Sequence, residues 1–363
     1  MTPHGDAIDS AWLHAQPQAT ALALPAPLYT RSAVAERERD AVFARNWQIV
    51  AHASQLRDSG DHVVTEIAGV PLLVVQGDDG ELRALHNVCR HRAGPLATCD
   101  GRGAKALRCK YHGWTYQLDG RLRSAPEMQD ARDFDVSTIR LPQAHLAQWQ
   151  GLVFAALESP PALAQVLDGI DARLGAHPLA EYVFDRRTSY EIGCNWKAYV
   201  DNYLEGYHVP HIHPALNRML DYRSYTTTLA RWHSLQHSPL ESADTLYGSG
   251  EALYYFLWPN LMLNILPGRL QTNRVVPLDP GRCRVDFDYF YALDGGESVD
   301  PARRAQDEAF SDEVQREDIG ICELVQQRLA SGSYTAGRLN PKRESGVWHF
   351  HELYRRALRE YVA

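Results

Sequence analysis

HNVCRHRAGPLATCDGRGAKALRCKYHGWTYQLDG, residues 86–120, holds two short Cys/His pairs: Cys89-Arg90-His91 and, after seventeen intervening residues, Cys109-Lys110-Tyr111-His112. Each pair offers one thiolate and one imidazole. A two-iron, two-sulfide centre with thiolates on one iron and imidazoles on the other needs one sulfur and one nitrogen from each of two neighbouring loops. Cys89, His91, Cys109 and His112 supply that set. Exchanging two thiolates for neutral imidazoles removes negative charge from the centre, which favours its reduced form and raises its potential above that of an all-cysteine cluster. A structural Cys₂His₂ zinc site competes with this reading, although C-x-H is less typical of zinc than C-x₂₋₄-C. Colour separates the two. Cys99 lies outside both pairs and reads as structural, while Gly94, Pro95, Gly101 and Gly103 suit tight loops of any purpose.

Around this stretch, from Trp47 to about Ala156, short β-prone runs such as Val70–Gln76 and Leu152–Ala155 alternate with turn signals at Asp78-Asp79-Gly80 and Asp119-Gly120. This predicts a small all-β domain over residues 46–157. The 45 residues before it are polar and Pro-punctuated, then helical in pattern from Ser32 to Asn46, and are expected to pack on the second domain. Ser159-Pro160-Pro161 reads as a linker. In the second domain, residues 158–363, helical patterns run from Ala162 to Leu174 and Asn195 to Tyr207. Strands are expected at Ala252–Leu266, Thr272–Pro277 and Cys283–Leu293, and a long helix from about Pro301 to Leu329. Strands followed by a long helix make the chain α+β.

Composition narrows the function. With 363 residues, two domain cores are expected. A net charge of −8 argues against a partner bound by phosphate neutralisation, so nucleic acid is not expected. The opening MTPHGDAIDS has no basic n-region, and Pro25 and Pro27 break the apolar stretch Ala21–Leu28; neither a signal peptide nor a membrane span is expected, and the location is read as cytoplasmic. Cys194, Cys283 and Cys322 stand isolated and read as small buried apolar side chains.

A second constellation lies in NWKAYVDNYLEGYHVPHIHPAL, residues 195–216, which gathers Asp201, Glu205, His208, His211 and His213. On a helix Glu205 and His208 would share a face, and Pro210 would end that helix and let His213 return toward His208. His208 and His213 are then a chelating pair, with His211 the competitor for His213. Two histidines and one carboxylate on one face of Fe(II) leave three positions open for dioxygen and water. The candidate third ligand is Asp318 in QREDIGICELVQQRL, while Asp312, Glu317 and Glu323 read as solvated helix charges; spacing alone does not choose among these acids.

With both motifs in this order, the chain resembles the oxygenase α subunits of Rieske non-haem iron oxygenases over nearly its whole length. The resemblance implies an all-β Rieske domain plus a helix-grip catalytic domain with a curved antiparallel sheet, assembled head-to-tail as a homotrimer. It implies Cys89, His91, Cys109 and His112 as ligands of a [2Fe–2S] cluster, and His208, His213 and Asp318 as ligands of a mononuclear Fe(II). Glu205 falls where the family carries an acid that links the first iron histidine to a cluster histidine of the neighbouring subunit, here His112; Asp201 is the alternative. The DNYLEGYHVPHIHP, LWPNLMLNILPGRLQTNRV and GVWHFHELYRRAL segments resemble the branch of choline, carnitine and glycine-betaine monooxygenases.

The sequence carries no flavin or nicotinamide fingerprint and no plant-type ferredoxin cysteine series, so electrons are expected from a separate NAD(P)H-dependent flavin/iron–sulfur reductase. The expected activity is hydroxylation of a small organic molecule with O₂, with a quaternary amine as first candidate and N-demethylation as one outcome. An aromatic substrate is the alternative, and a Rieske electron carrier the non-enzymatic one. Tyr203, Tyr222, Trp232, Tyr254, Tyr255 and Trp258 are the aromatic faces available to a methylated ammonium.

Overall fold

The computed structural model describes residues 8–175, 179–220, 222–240, 246–294, 297–298 and 300–362. Residues 1–7, on which part of the N-terminal reading rests, lie outside this set. The chain divides into two units, Phe43–Pro161 and a discontinuous one made of residues up to Val42 with those from Ala162 onward.

The unit Phe43–Pro161 is built on strands β1 (Gln48–His52), β2 (His62–Ile67), β3 (Val70–Gln76), β4 (Leu82–His86), β5 (Leu107–Arg108), β6 (Thr115–Tyr116), β7 (Leu122–Ser124), β8 (Gln143–Trp149) and β9 (Leu152–Ala156). A six-stranded antiparallel sheet has the order β1-β9-β8-β4-β3-β2, and a three-stranded one the order β5-β6-β7. The unbroken apolar run of β3 is explained by burial on both faces. Leu73 and Val75 join one core with Cys89, Cys109 and Trp114, while Leu72 and Val74 join the other. The Asp78–Gly80 turn closes the β3–β4 hairpin, with Gly80 at φ +83°.

In the second unit, helix α1 (Ser32–Glu38) is followed by one π-helical turn, Arg39–Phe43, so the N-terminal helix is shorter than its sequence pattern. Glu38 is buried; it accepts from Lys197 Nζ (2.5 Å), Trp196 Nε1 (2.8 Å) and Tyr354 Oη (2.6 Å). Trp196 and Lys197 open helix α2 (Trp196–Tyr203). The sheet comprises β10 (Tyr182–Ile192), β11 (Thr226–Leu229), β12 (His233–Leu240), β13 (Gly250–Leu257), β14 (Leu261–Leu266), β15 (Arg269–Asp279) and β16 (Arg282–Asp294), antiparallel in the order β10-β16-β15-β14-β13-β12-β11. Helix α3 (Pro301–Ala330) is fastened to it through polar side chains: Gln271 Nε2 to Ser311 Oγ (2.9 Å), Tyr190 Oη to Asp312 (3.1 Å) and Tyr291 Oη to Asp307 (2.7 Å). Helix α4 (Ser345–Val362) brings Tyr354 to Glu38.

Two expectations need correction. The stretch Ala252–Leu266 is two strands, because the chain reverses at Trp258–Asn260. The stretch Ala162–Leu174 is two short helices, Leu163–Val166 and Ile170–Leu174, parted at Gly169 with φ +83°. Cys194, Cys283 and Cys322 are buried, as expected, and Cys194 Sγ lies 4.0 Å from Cys283 Sγ.

Candidate functional site

The two Cys/His pairs sit on loops of matching construction. Cys89 N–H donates to Gly94 C=O and Ala93 N–H to Cys89 C=O; Cys109 N–H donates to Trp114 C=O and Gly113 N–H to Cys109 C=O, all at 2.9–3.0 Å. The fifth residue of each loop has positive φ, Ala93 at +57° and Gly113 at +75°. Both cysteines are buried with free thiols, and the His91 and His112 rings lie 4.6 Å apart. His91 is further braced by stacking on Trp114. Tyr116 Oη lies 3.3 Å from Cys89 Sγ and accepts from Arg90 N–H. His91 Nδ1 is buried without a hydrogen-bond partner. An orphaned ring nitrogen beside two buried thiols fits iron ligation better than protein packing. Cys99 is exposed.

In the second unit, Asn195 caps α2 by accepting from Lys197 N–H (3.0 Å), and its amide donates to the carbonyls of Tyr29 and Pro280. The helix ends at Tyr203, before Glu205, so Glu205 and His208 do not share a helix face. Instead the Glu205 carboxylate accepts from the backbone N–H of Tyr207 and His208 and lies 2.6 Å from His208 Nδ1. Pro210 does not end a helix: it sits in the first turn of the short helix Val209–Ile212, where its missing N–H costs nothing. His208 and His213 flank that single turn. His211 is exposed.

His208 Nε2 lies 3.1 Å from His213 Nε2, and His213 Nε2 lies 3.0 Å from Asp318 Oδ1. His208, His213 and Asp318 each offer one donor atom, all within 4.8 Å of one another. The outer nitrogens decide the tautomers. His208 Nδ1 faces Glu205, and His213 Nδ1 faces Glu317 at 2.7 Å. A carboxylate needs a proton from its partner, so both Nδ1 atoms carry the hydrogen and both Nε2 atoms present lone pairs. Two nitrogen lone pairs and a carboxylate oxygen at such separations repel one another unless a cation lies between them. Donors about 2.1 Å from one ion stand about 3 Å apart at right angles and further apart at wider angles; two of these pairs are at 3.0 and 3.1 Å and the third, His208 Nε2 to Asp318 Oδ1, is at 3.7 Å. Burial opposes charge on His213, but Asp318 and Glu317 outweigh it and raise its pKa. The residues present therefore fit a divalent metal.

Glu317 is thus not a solvated helix charge; nor are Asp312, which accepts from Tyr190, and Glu323, which accepts from Gly193 N–H (2.9 Å). Asp201 is engaged elsewhere, with Tyr29 Oη at 2.6 Å and His351 Nε2 at 2.9 Å. Asn202, not singled out in the sequence, donates to Asp318 Oδ1 (2.6 Å).

Beside the triad lies a cavity of about 130 Å³ between the sheet, α2 and α3. Tyr203 and Tyr254 line it; Tyr222, Trp232, Tyr255 and Trp258 do not. Tyr225, Tyr247 and Phe310 line it too, and no spacing signal marked them. Burial pushes the Tyr254 phenol up to about 12 and the Tyr203 and Tyr225 phenols well above the ordinary value, so these rings stay neutral at physiological pH.

Residues 46–142 match the family model described as the Rieske [2Fe-2S] domain, and residues 179–360 match the ring hydroxylating alpha subunit (catalytic domain). The chain belongs to the Rieske non-haem iron oxygenases, as an oxygenase α subunit. Its first unit is a [2Fe–2S] domain and its second houses a mononuclear iron site. It is 36% identical to the chloroplastic choline monooxygenase of Arabidopsis thaliana over 91% of this chain and 81% of that one. It is 31% identical to the carnitine monooxygenase oxygenase subunit of Escherichia coli strain K12, covering 93% and 94%. The crystal structure of the quaternary ammonium Rieske monooxygenase CntA with inhibitor MMV12 superposes with a TM-score of 0.88 at 26% identity, covering 96% and 98%. In this family, substrate and O₂ meet at the oxygenase and electrons come from a separate reductase. Among the described residues, no helix is long and apolar enough to cross a membrane.

Proposed function

We propose that this oxygenase hydroxylates a C–H bond of a small quaternary amine, with His208, His213 and Asp318 holding the lone iron and Cys89, His91, Cys109 and His112 holding the cluster. When bound, the cluster supplies single electrons and the ferrous ion supplies the place where dioxygen is activated. The protein's own work is positional. Glu205 and Glu317 fix the histidine tautomers, and Asn202 orients the Asp318 carboxylate. Glu205 also stands in the segment that resembles the family's link to the neighbouring subunit's cluster, and we assign it that bridging role, with His112 at the far end.

The observation that carries the substrate reading is the cavity: about 130 Å³, with Tyr203, Tyr225, Tyr247, Tyr254 and Phe310 on its walls, next to three carboxylates. Neutral aromatic faces attract a methylated ammonium, which cannot donate a hydrogen bond. The volume is of the order that admits one benzene, about 150 Å³, and favours a compact substrate. In the overall change a C–H becomes C–OH while the second oxygen atom leaves as water, using two electrons and two protons from outside. On an N-methyl carbon the product collapses to amine and formaldehyde. We take the working assembly to be a cytoplasmic homotrimer fed by an NAD(P)H-dependent flavin/iron–sulfur reductase; family resemblance supports this part, and native mass measurement tests the trimer.

The test is turnover of reduced enzyme against betaines, carnitine, choline and small aromatics, with an NADH-linked reductase and mass-spectrometric detection. Conversion of a quaternary amine that depends on O₂ is expected; turnover of aromatics alone overturns the reading.

A further inference from the structure

We propose that the cavity carries an anion subsite built on Arg269, and that the substrate is accordingly a zwitterion, a quaternary ammonium joined by a short chain to a carboxylate. This rests on the quaternary-amine reading above and narrows it.

Arg269, Gln271 and Asn273 alternate along β15 and all three line the cavity, as one face of a strand must. Arg269 is 5% exposed. Its Nε lies 2.8 Å from Asp307 Oδ2, and its Nη2 donates to Gln271 Oε1 at 2.9 Å. Nη1 has no hydrogen-bond partner among the described residues. A guanidinium has five N–H donors: the buried Nε meets Asp307 as an ion pair, one on Nη2 is used by Gln271, and the two on Nη1 and the second on Nη2 are left for a ligand. Asp307 meanwhile accepts from Tyr247 Oη (2.5 Å) and Tyr291 Oη (2.7 Å), which satisfies it without further help from Arg269. The unused pair on Nη1 and Nη2 has the spacing that grips a carboxylate with two parallel bonds.

Position matches the chemistry. Asp307 and Asp318 both stand on α3, eleven residues apart, which is about 16 Å of helical rise. Asp318 marks the metal end of the cavity and Arg269, held by Asp307, the other. At the metal end, Glu205, Glu317 and Asp318 bring three negative charges, one more than a divalent ion cancels, so that end favours the cation. Asp307 cancels the Arg269 charge, so the Arg269 end is neutral overall and offers an anion the unpaired N–H groups of the guanidinium, whereas the aromatic end beside the three carboxylates favours a cation. A neutral hydroxyl tail does not use the fork of Arg269.

The test uses the fully metallated, oxidised enzyme and calorimetric binding of three ligands of equal length: a trimethylammonium carboxylate, its primary alcohol counterpart, and the carboxylate with a tert-butyl group in place of the ammonium. The zwitterion is expected to bind about 10- to 100-fold more tightly than the alcohol, the range for hydrogen bonds to a charged partner. In Arg269→Gln/Asp307→Asn, which removes both buried charges together, that preference is expected to disappear. Equal binding of zwitterion and alcohol by the wild type, or full preference kept by the folded double variant, overturns the subsite; the wild-type comparison decides alone should the double variant not fold. If the alcohol binds as well as the zwitterion, the subsite fails while the quaternary-amine reading stands. If the tert-butyl carboxylate binds as well as the zwitterion, the subsite stands and the quaternary-amine reading fails.

Discussion

Glu317 and Asp318 are neighbours on one helix, yet they face different atoms: Glu317 meets the outer nitrogen of His213 and Asp318 the inner one. Asp318→Ala is expected to lower iron from about three to about two per chain while the cluster's visible spectrum is unchanged. Loss of that spectrum would count against the assignment. Glu317→Ala should leave the spectrum and fold alone but weaken ferrous binding about 10- to 100-fold, read by iron titration of the apo site. Gly94 supplies a steric test on the cluster side. A Cβ there would lie 2.8 Å from Cys109 Sγ, so Gly94→Ala should bleach the cluster while far-ultraviolet dichroism of the remainder persists. Sequence spacing could name the histidines because only one turn separates them. It could not separate Glu317 from Asp318, or find Asn202, because which helix face meets His213 is a tertiary fact. The aromatic walls were hidden for a related reason: Tyr225 and Tyr247 come from loops whose direction no periodicity reports.

At the scale of elements, what was legible follows the physics of each face. Strand β3 declared itself through an apolar run buried on two sides. Strand β10 did not, because its DRRTSYE stretch is polar; its charges are met across the register, Arg187 by Asp288 at 2.6 Å and Ser189 by Asp286 at 2.7 Å. The long helix α3 was legible in extent but not in orientation, since its buried side carries Asp307, Gln315 and Gln326 rather than an apolar stripe. The β13–β14 reversal carries a turn signal, Pro259-Asn260, that the apolar runs on either side of it masked. Helix α2 depends on its cap: Asn195→Ala removes one capping bond and takes the Asn195 donor from the buried Tyr29 carbonyl and the half-buried Pro280 carbonyl. A loss of at least about 2 kcal/mol is expected in urea titration of the catalytic domain.

For the molecule as a whole, acid stability should be set partly by His52 in the Rieske domain. Burial lowers its pKa from 6.5 to about 4, so the native state resists a proton that the unfolded chain takes up readily. Stability from this source is fully present above about pH 6.5 and is lost as pH falls toward 4, by up to about 3 kcal/mol. Denaturant midpoints of this domain should therefore fall between pH 7 and 4.5, and His52→Gln should flatten that slope; an unchanged slope would remove His52 from the account. In the other unit, Glu38→Ala strands the buried Lys197 ammonium and should cost about 3–5 kcal/mol, seen as a lower thermal midpoint.

The Glu38 hub has a consequence for biosynthesis. Its three partners come from residues 196, 197 and 354, so Glu38 stays unsatisfied until Tyr354 has emerged from the ribosome. Phe43–Pro161, by contrast, is contiguous and is complete in the nascent chain while the rest is still being translated. With the ligands proposed above, iron and sulfide can thus be delivered to Cys89 and Cys109 before His208, His213 and Asp318 have been brought together, which would give the two metal sites a built-in order of maturation.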